Sequence, residues 1–198
     1  MELEVGERIL SEKWLRNENV IISKFRNITH KIRRTLDKTI INETAVREIS
    51  QELGCFQSLI YLPQPTGHFK CVAEHIQELS TSDFVSCIGS VIRPDLGFIS
   101  RVISQRETIV ISKGHYEMEE LFTELNLKDM PIGFLIHDIM AVRVPMGPDT
   151  YGIIILLWDM DSLDSDEVHS KTNILTDIAE QVGIALQQTL LMDQEKVN

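Results

Sequence analysis

The sequence is short of positive charge. Its 19 Lys and Arg stand against 30 Asp and Glu, for a formal net charge of -11. That balance argues against nucleic acid, which needs a basic surface, and disfavours an anionic membrane. No run is long and apolar enough to span a bilayer. The opening MELEVGERIL is acidic and has no signal-peptide core. Cysteine is scarce. Cys55, Cys71 and Cys87 are odd in number and show no CxxC pair, which fits a reducing compartment better than a disulfide framework. There is no Gly-rich phosphate loop, HExxH or GxSxG, so no enzyme is expected. The acidic DMDSLDSDE at 159–167 lacks the spacing and central glycine of a calcium loop, and reads as a solvated turn with a helix cap. Internal repeats and low-complexity tracts are missing too.

What is present is a core-forming chain. At 198 residues and 43% hydrophobic, it fits one globular domain with helical additions. The most informative stretch runs from Tyr151 to Gln188. YGIIILLW is a strand with apolar residues on both faces: Ile153, Ile155 and Leu157 on one, Ile154, Leu156 and Trp158 on the other. A helix follows from Asp164 or Ser165, with Glu167 placed to complete a capping box. Leu175, Ile178, Val182, Ala185 and Thr189 form its apolar stripe, widened by Ile174, Leu186 and Leu190.

The rest of the chain alternates period. Residues 1–17 predict a helical extension, and 18–53 two helices or one bent helix. Ile21, Phe25, Ile28, Ile32 and Leu36 make one stripe. Ile41, Ala45, Ile49 and Leu53 make another, with Gly54 as a C-terminal cap. CFQSLIYL and HFKCVAEH predict a hairpin, with Phe69, Cys71, Ala73 and His75 on one face. Residues 77–97 read as a long loop with at most a short helix. A helix at 98–105, a strand at 108–112, a helix at 117–127 and a strand at 138–146 follow. Antiparallel hairpins with helices segregated around them give an α+β class.

These stretches in this order resemble a GAF domain of the cyanobacterial sensor-kinase and phytochrome-like type. The resemblance lies in ITHKIRRTLDKTIINETAVREISQELGCFQSLIYL at 28–62, ISRVISQRETIVIS at 99–112, IMAVRVPM through GIIILLW, and above all DIAEQVGIALQQTLLMDQE. It covers about residues 20 to 195, giving a helical extension over 1–17 and one GAF-like domain over 18–198. It implies a central antiparallel sheet, with the N- and C-terminal helices on one face. Loops and short helices on the other face would enclose a small-molecule pocket. The usual bilin-attachment cysteine is missing, since residues 111–146 contain none, although His115 and His137 lie there. Leu157, Trp158 and Asp159 stand where a pigment-facing histidine is often found. Covalent bilin is therefore not expected, and the cofactor is left unknown. The NKFDE-type motif of cyclic-nucleotide-binding relatives is also missing.

Several residues remain candidates for a site. Arg143 interrupts an apolar strand, and a buried guanidinium wants a planar anion. A ligand or an internal partner such as Asp138 or a glutamate would supply it, or the residue sits at a strand end open to water. His115 and Tyr116 follow Gly114 at the expected pocket rim, and His137 opens a strand. Each has a local explanation as an exposed loop pair or a neighbour of Asp138. Cys55, Cys71 and Cys87 would hold a redox cluster only if the loop folded back, and otherwise act as small hydrophobes. Ile21, Phe25, Ile28 and Ile32, with Leu175, Ile178, Val182 and Ala185, form the candidate seam of a homodimer. The expected function is a non-catalytic sensory module. It binds a small molecule or senses redox state, and signals through its terminal helices to a partner such as a histidine kinase or regulator. The alternatives are a ligand-free dimeric adaptor and, more remotely, a methionine sulfoxide reductase-like enzyme. A cytoplasmic setting, cyanobacterial or in a plastid stroma, fits both the charge and the cysteines.

Overall fold

A computed structural model of the chain describes residues 23, 26, 28–32, 35–77, 86–125, 136–159, 163 and 165–195. Residues 28–32 are helical, and the chain leaves the helix at 35–37. There Asp37 adopts an extended backbone, and its carboxylate accepts from the amides of Thr39 and Ile40, so a new helix starts. This is α1 (Lys38–Leu53), and Gly54 closes it. At φ 66° Gly54 adopts the left-handed turn that a helix end requires, and its N–H returns to the carbonyl of Ser50. Two helices, rather than one bent helix, thus precede the sheet. Leu36 falls in the break between them and is exposed, so it leaves the stripe assigned to it. The extension over 1–17, Ile21, Phe25 and the Asp164 cap lie outside the described residues.

Six strands and three further helices follow: β1 (Gln57–Pro63), β2 (Phe69–Ile76), β3 (Val91–Ile92), α2 (Gly97–Gln105), β4 (Ile109–Ser112), α3 (Tyr116–Glu124), β5 (Ile136–Pro145), β6 (Tyr151–Asp159) and α4 (Ser165–Glu195). The strands form an antiparallel sheet in the order β3-β2-β1-β6-β5-β4. β3 lies within the expected loop. A two-residue strand has no period to read, so only its pairing with Phe69 and Lys70 defines it.

β6 sits at the centre, and its alternation divides the interior in two. Ile153, Ile155 and Leu157 join the core under α2 and α3. Ile154, Leu156 and Trp158 join the core under α1 and α4. The terminal helices cover one face of the sheet and the short helices the other, an α+β fold of GAF-like architecture.

The first hairpin departs from simple alternation. Tyr61 pairs with Cys71 but Ile60 pairs with Ala73, leaving Val72 as an extra residue. Phe69 and Cys71 therefore face α2 and α3, while Ala73 turns to the α1/α4 side. The expectation that all of these share one face is corrected by this bulge.

In α4, Ile174, Leu175, Ile178, Val182, Ala185, Leu186 and Thr189 are buried, whereas Leu190 is exposed. Gly183 lies so close to β5 that a Cβ there would stand 2.0 Å from the carbonyl oxygen of Pro145. Ile28, Ile32, Leu175, Ile178, Val182 and Ala185 are all buried within the chain's own core. These side chains are thus spent on the fold of the chain itself. Among the described residues, no helix is long and apolar enough to cross a membrane.

Candidate functional site

The α2/α3 face is held by acids on one side of α3. Glu117, Glu120 and Glu124 recur at spacings of three and four, on one stripe of the helix. Glu117, itself buried, takes Arg101 of α2 in a two-pronged ion pair. Glu124 takes Arg93 at 3.1 Å. The N-cap residue of α2 is Leu96, whose side chain accepts nothing. Instead Glu120 accepts the Gly97 N–H at 3.2 Å, capping α2 from a neighbouring helix and placing negative charge at its positive end. Beneath this clamp, Phe98, Ile99, Val102, Met118, Leu121 and Phe122 pack on the sheet.

At the β3 side, a polar network enters the same core. Gln57 donates to Glu74 at 2.6 Å and to the sulfur of Cys87 at 3.8 Å. Glu74 also accepts the Cys87 N–H at 3.0 Å and the Ser86 hydroxyl. The Tyr61 hydroxyl meets that of Ser90 at 3.0 Å. Burial pushes the thiols of Cys71 and Cys87 up to about 12. Cys71 is raised further because it and the neighbouring Cys87 resist ionising together, and the negative charge of Glu74 adds to both. Burial likewise raises Cys55 to about 12, and lifts the Tyr61 phenol. Thiols held this firmly in the neutral form are poor nucleophiles near neutrality. Cys55 belongs to the α1/α4 core, on the opposite side of the sheet from Cys71 and Cys87. The sheet thus keeps the three sulfurs from converging. Among the described residues, no group of three or more His, Cys, Asp or Glu is placed to hold a metal ion.

The other candidates separate along β5. His137 occupies a register shift near the start of that strand. Its carbonyl accepts the Lys113 N–H at 2.7 Å. His115 is the N-cap of α3, where its Nδ1 accepts the Glu117 N–H at 3.4 Å. It stacks on the exposed Tyr116 with ring centroids 4.9 Å apart. These contacts are local, as capping and loop chemistry would have them.

Arg143 lies six residues farther along β5, about 20 Å from His137 at strand rise. It points to the α2/α3 side, in alternation with Ile139 and Ala141. Its guanidinium carbon stands 4.4 Å from the centroid of the Tyr151 ring. That ring leans on Phe69 at 5.7 Å. Nη1 reaches the carbonyl of Ile103, in α2, at a long 3.5 Å. Nε is buried and has no hydrogen-bond partner among the described residues. Asp138, the expected internal counter-ion, accepts instead from the Ser112 hydroxyl and the Leu163 N–H. An acid-rich chain thus keeps an arginine without an ion pair among its described residues.

The structure adds residues to this face that sequence reading passed over: Gln57, Tyr61, Glu74 and Tyr151. Gln57 and Tyr61 were visible as polar interruptions of an apolar strand. Glu74 and Tyr151 carried no such mark, since their roles depend on what crosses them.

The GAF domain family model matches residues 39–186. Solved structures share the fold. The chain is similar to the phycoerythrobilin-bound GAF domain from a cyanobacterial phytochrome, with TM-score 0.63 and 17% identity over 87% of this chain and 97% of that one. It is similar to the phycocyanobilin-bound GAF domain from a cyanobacterial phytochrome, with TM-score 0.63 and 16% identity over 87% and 96%. It is also similar to the GAF domain from Acinetobacter phosphoenolpyruvate-protein phosphotransferase, with TM-score 0.63 and 11% identity over 88% and 97%. The chain belongs to the GAF domain family.

Proposed function

We propose that this GAF domain is a non-catalytic sensory module that binds a small molecule on the α2/α3 face and passes its occupancy to the terminal helices. One observation carries the reading: the α2/α3 face holds an arginine without a carboxylate partner among the described residues, over the ring of Tyr151. Two of the similar structures hold linear tetrapyrroles in their GAF domains. The proposal here involves no covalent bilin, because residues 111–146 contain no cysteine. The route to the terminal helices is short. Tyr151 pairs with Pro145 across the β5–β6 hairpin, and the Pro145 carbonyl abuts Gly183 of α4. A shift of that hairpin therefore meets α4 directly, since close-packed elements transmit displacement. The output goes to a signalling protein such as a histidine kinase or regulator.

A homodimer through the terminal helices remains part of the proposal, on different residues. Lys38 and Asp193 form an ion pair at 2.6 Å that brings the start of α1 to the end of α4. Leu36, Ile40, Leu190, Leu191 and Met192 are exposed at these same two helix ends, and a second copy would cover them. A monomeric mass at micromolar concentration would sink this part.

The adaptor reading is favoured by a different observation. Phe98, Met118, Leu121 and Phe122 already fill the centre of the α2/α3 face. Thermal melts against a broad ligand library separate the two. A reproducible rise in melting temperature supports sensing, because a ligand that binds only the folded state stabilises it. An unchanged melt throughout, with a stable partner recovered by pull-down, supports the adaptor. An absorption spectrum after production in bilin-making cells checks for non-covalent pigment.

A further inference from the structure

We propose that Arg143 anchors an oxyanion, the carboxylate or phosphate group of a small molecule, at the end of the sheet between Tyr151 and the last turn of α2. This rests on the sensory reading above and names the chemistry its ligand must carry.

The argument begins with unused donors. A guanidinium offers five N–H groups in a planar fork matched to two oxygens of one anion. Here Nη1 makes one long contact to Ile103, and Nε is buried without a partner among the described residues. A charge taken partly out of water costs free energy unless it is paired. With 30 acids in the sequence, pairing was within easy reach of the fold, yet Asp138 is bonded to Ser112 and Leu163 instead. Orientation comes next. The Tyr151 ring lies 4.4 Å from the guanidinium carbon and is itself propped by Phe69, so the fork is held rather than free to sweep. Access is the third point. β4 pairs with β5 only from Asp138 to Ala141, so among the described residues no strand lies along the outer edge of β5 at Arg143. The end of α2 contributes a carbonyl there and no carboxylate among its described contacts.

The test is a titration followed by NMR of the Arg143 Nε–Hε group, identified by its loss in Arg143→Gln. The probes are inorganic phosphate, benzoate and neutral benzamide. The proposal expects a saturable shift of that resonance with phosphate or benzoate and none with benzamide. It also expects binding about tenfold weaker or worse in Arg143→Gln, read at the Tyr151 and Ile103 amides. A response to phosphate alone assigns the phosphate class, and to benzoate alone the carboxylate class. Unmoved Nε–Hε at tens of millimolar of every anion overturns the proposal, as does equal binding by wild type and Arg143→Gln. If the glutamine variant fails to fold, Arg143→Lys keeps the charge but loses the fork, and must weaken binding. A neutral library compound that stabilises wild type and Arg143→Gln equally overturns the anion assignment and leaves the sensory reading standing. Anion binding at Arg143 with no change in the α4 amides does the reverse.

Discussion

The two faces of one sheet are finished in different ways. On one side, α1 with 16 residues and α4 with 31 lie on Ile154, Leu156, Val142 and Val144, and their backbone comes close enough for Gly183 to touch Pro145. On the other, two nine-residue helices are clamped to each other by Glu117 and Glu120, while Glu124 ties the second of them to Arg93 ahead of the first. Arg143 and the Gln57–Glu74 network reach into that second face. Each side buries polar atoms without a hydrogen-bond partner among the described residues, Asn42 Oδ1 and Trp158 Nε1 near the terminal helices and Gln57 Oε1 and Arg143 Nε near the short ones. Of these, only Arg143 carries a charge. A face sealed by long helices suits a rigid mount. A face built from short helices and polar contacts can reorganise around a ligand with less loss, because fewer buried contacts move together.

The sharpest way to break that contrast is at the closest approach. Gly183→Val should cost about 3 kcal/mol or more, since the Pro145 backbone cannot step aside as a side chain would. Chemical denaturation reads it, and a cost near zero would mean that α4 is not fixed on β5. Next come matched truncations of adjacent β6 residues. Leu156→Ala and Leu157→Ala should each cost about 2–5 kcal/mol, with Leu156 the larger, because short helices collapse into a cavity more readily than long pinned ones. An equal or reversed order would refute the difference in rigidity.

Alkaline stability sharpens the comparison. The folded thiols sit near 12 against an ordinary 9.0, so between these values the unfolded chain loses protons that the folded chain keeps. Stability should hold below pH 9 and fall as pH rises from 9 toward 12, by about 1.4 kcal/mol per thiol per pH unit. Denaturation at pH 8, 9 and 10 measures the slope. Cys71→Ala with Cys87→Ala should remove more of it than Cys55→Ala, since two of the three thiols lie on the α2/α3 side. The smallest effect is expected at the borrowed cap. Glu120→Ala should cost about 0.5–1 kcal/mol and speed hydrogen exchange at the start of α2 while leaving α1 unchanged.

Much of this architecture was legible in local pattern. The period of two in β6 assigned its six inner side chains to the correct cores. The α4 stripe and the Gly54 cap were equally plain. Arg143 was visible as a charge among β-branched neighbours. The failures share a cause. Val72 looks like any strand residue, and only its pairing opposite β1 makes it a bulge that turns Ala73 over. The width of two stripes suggests surplus apolar surface, but Ile28, Ile32, Leu175, Ile178, Val182 and Ala185 lie in one core of the chain itself. Cys55 and Cys71 look alike in sequence, and the sheet separates them.

The sequence by itself determined the elements and which side of each is apolar, because those follow from bonding geometry repeated every two or 3.6 residues. Tertiary structure alone decided which surfaces meet. Asp138 turned to Ser112 and Leu163 rather than Arg143, and Gly183 came to rest on Pro145. Both outcomes depend on strand order, register and helix placement, which are set by the whole core closing at once.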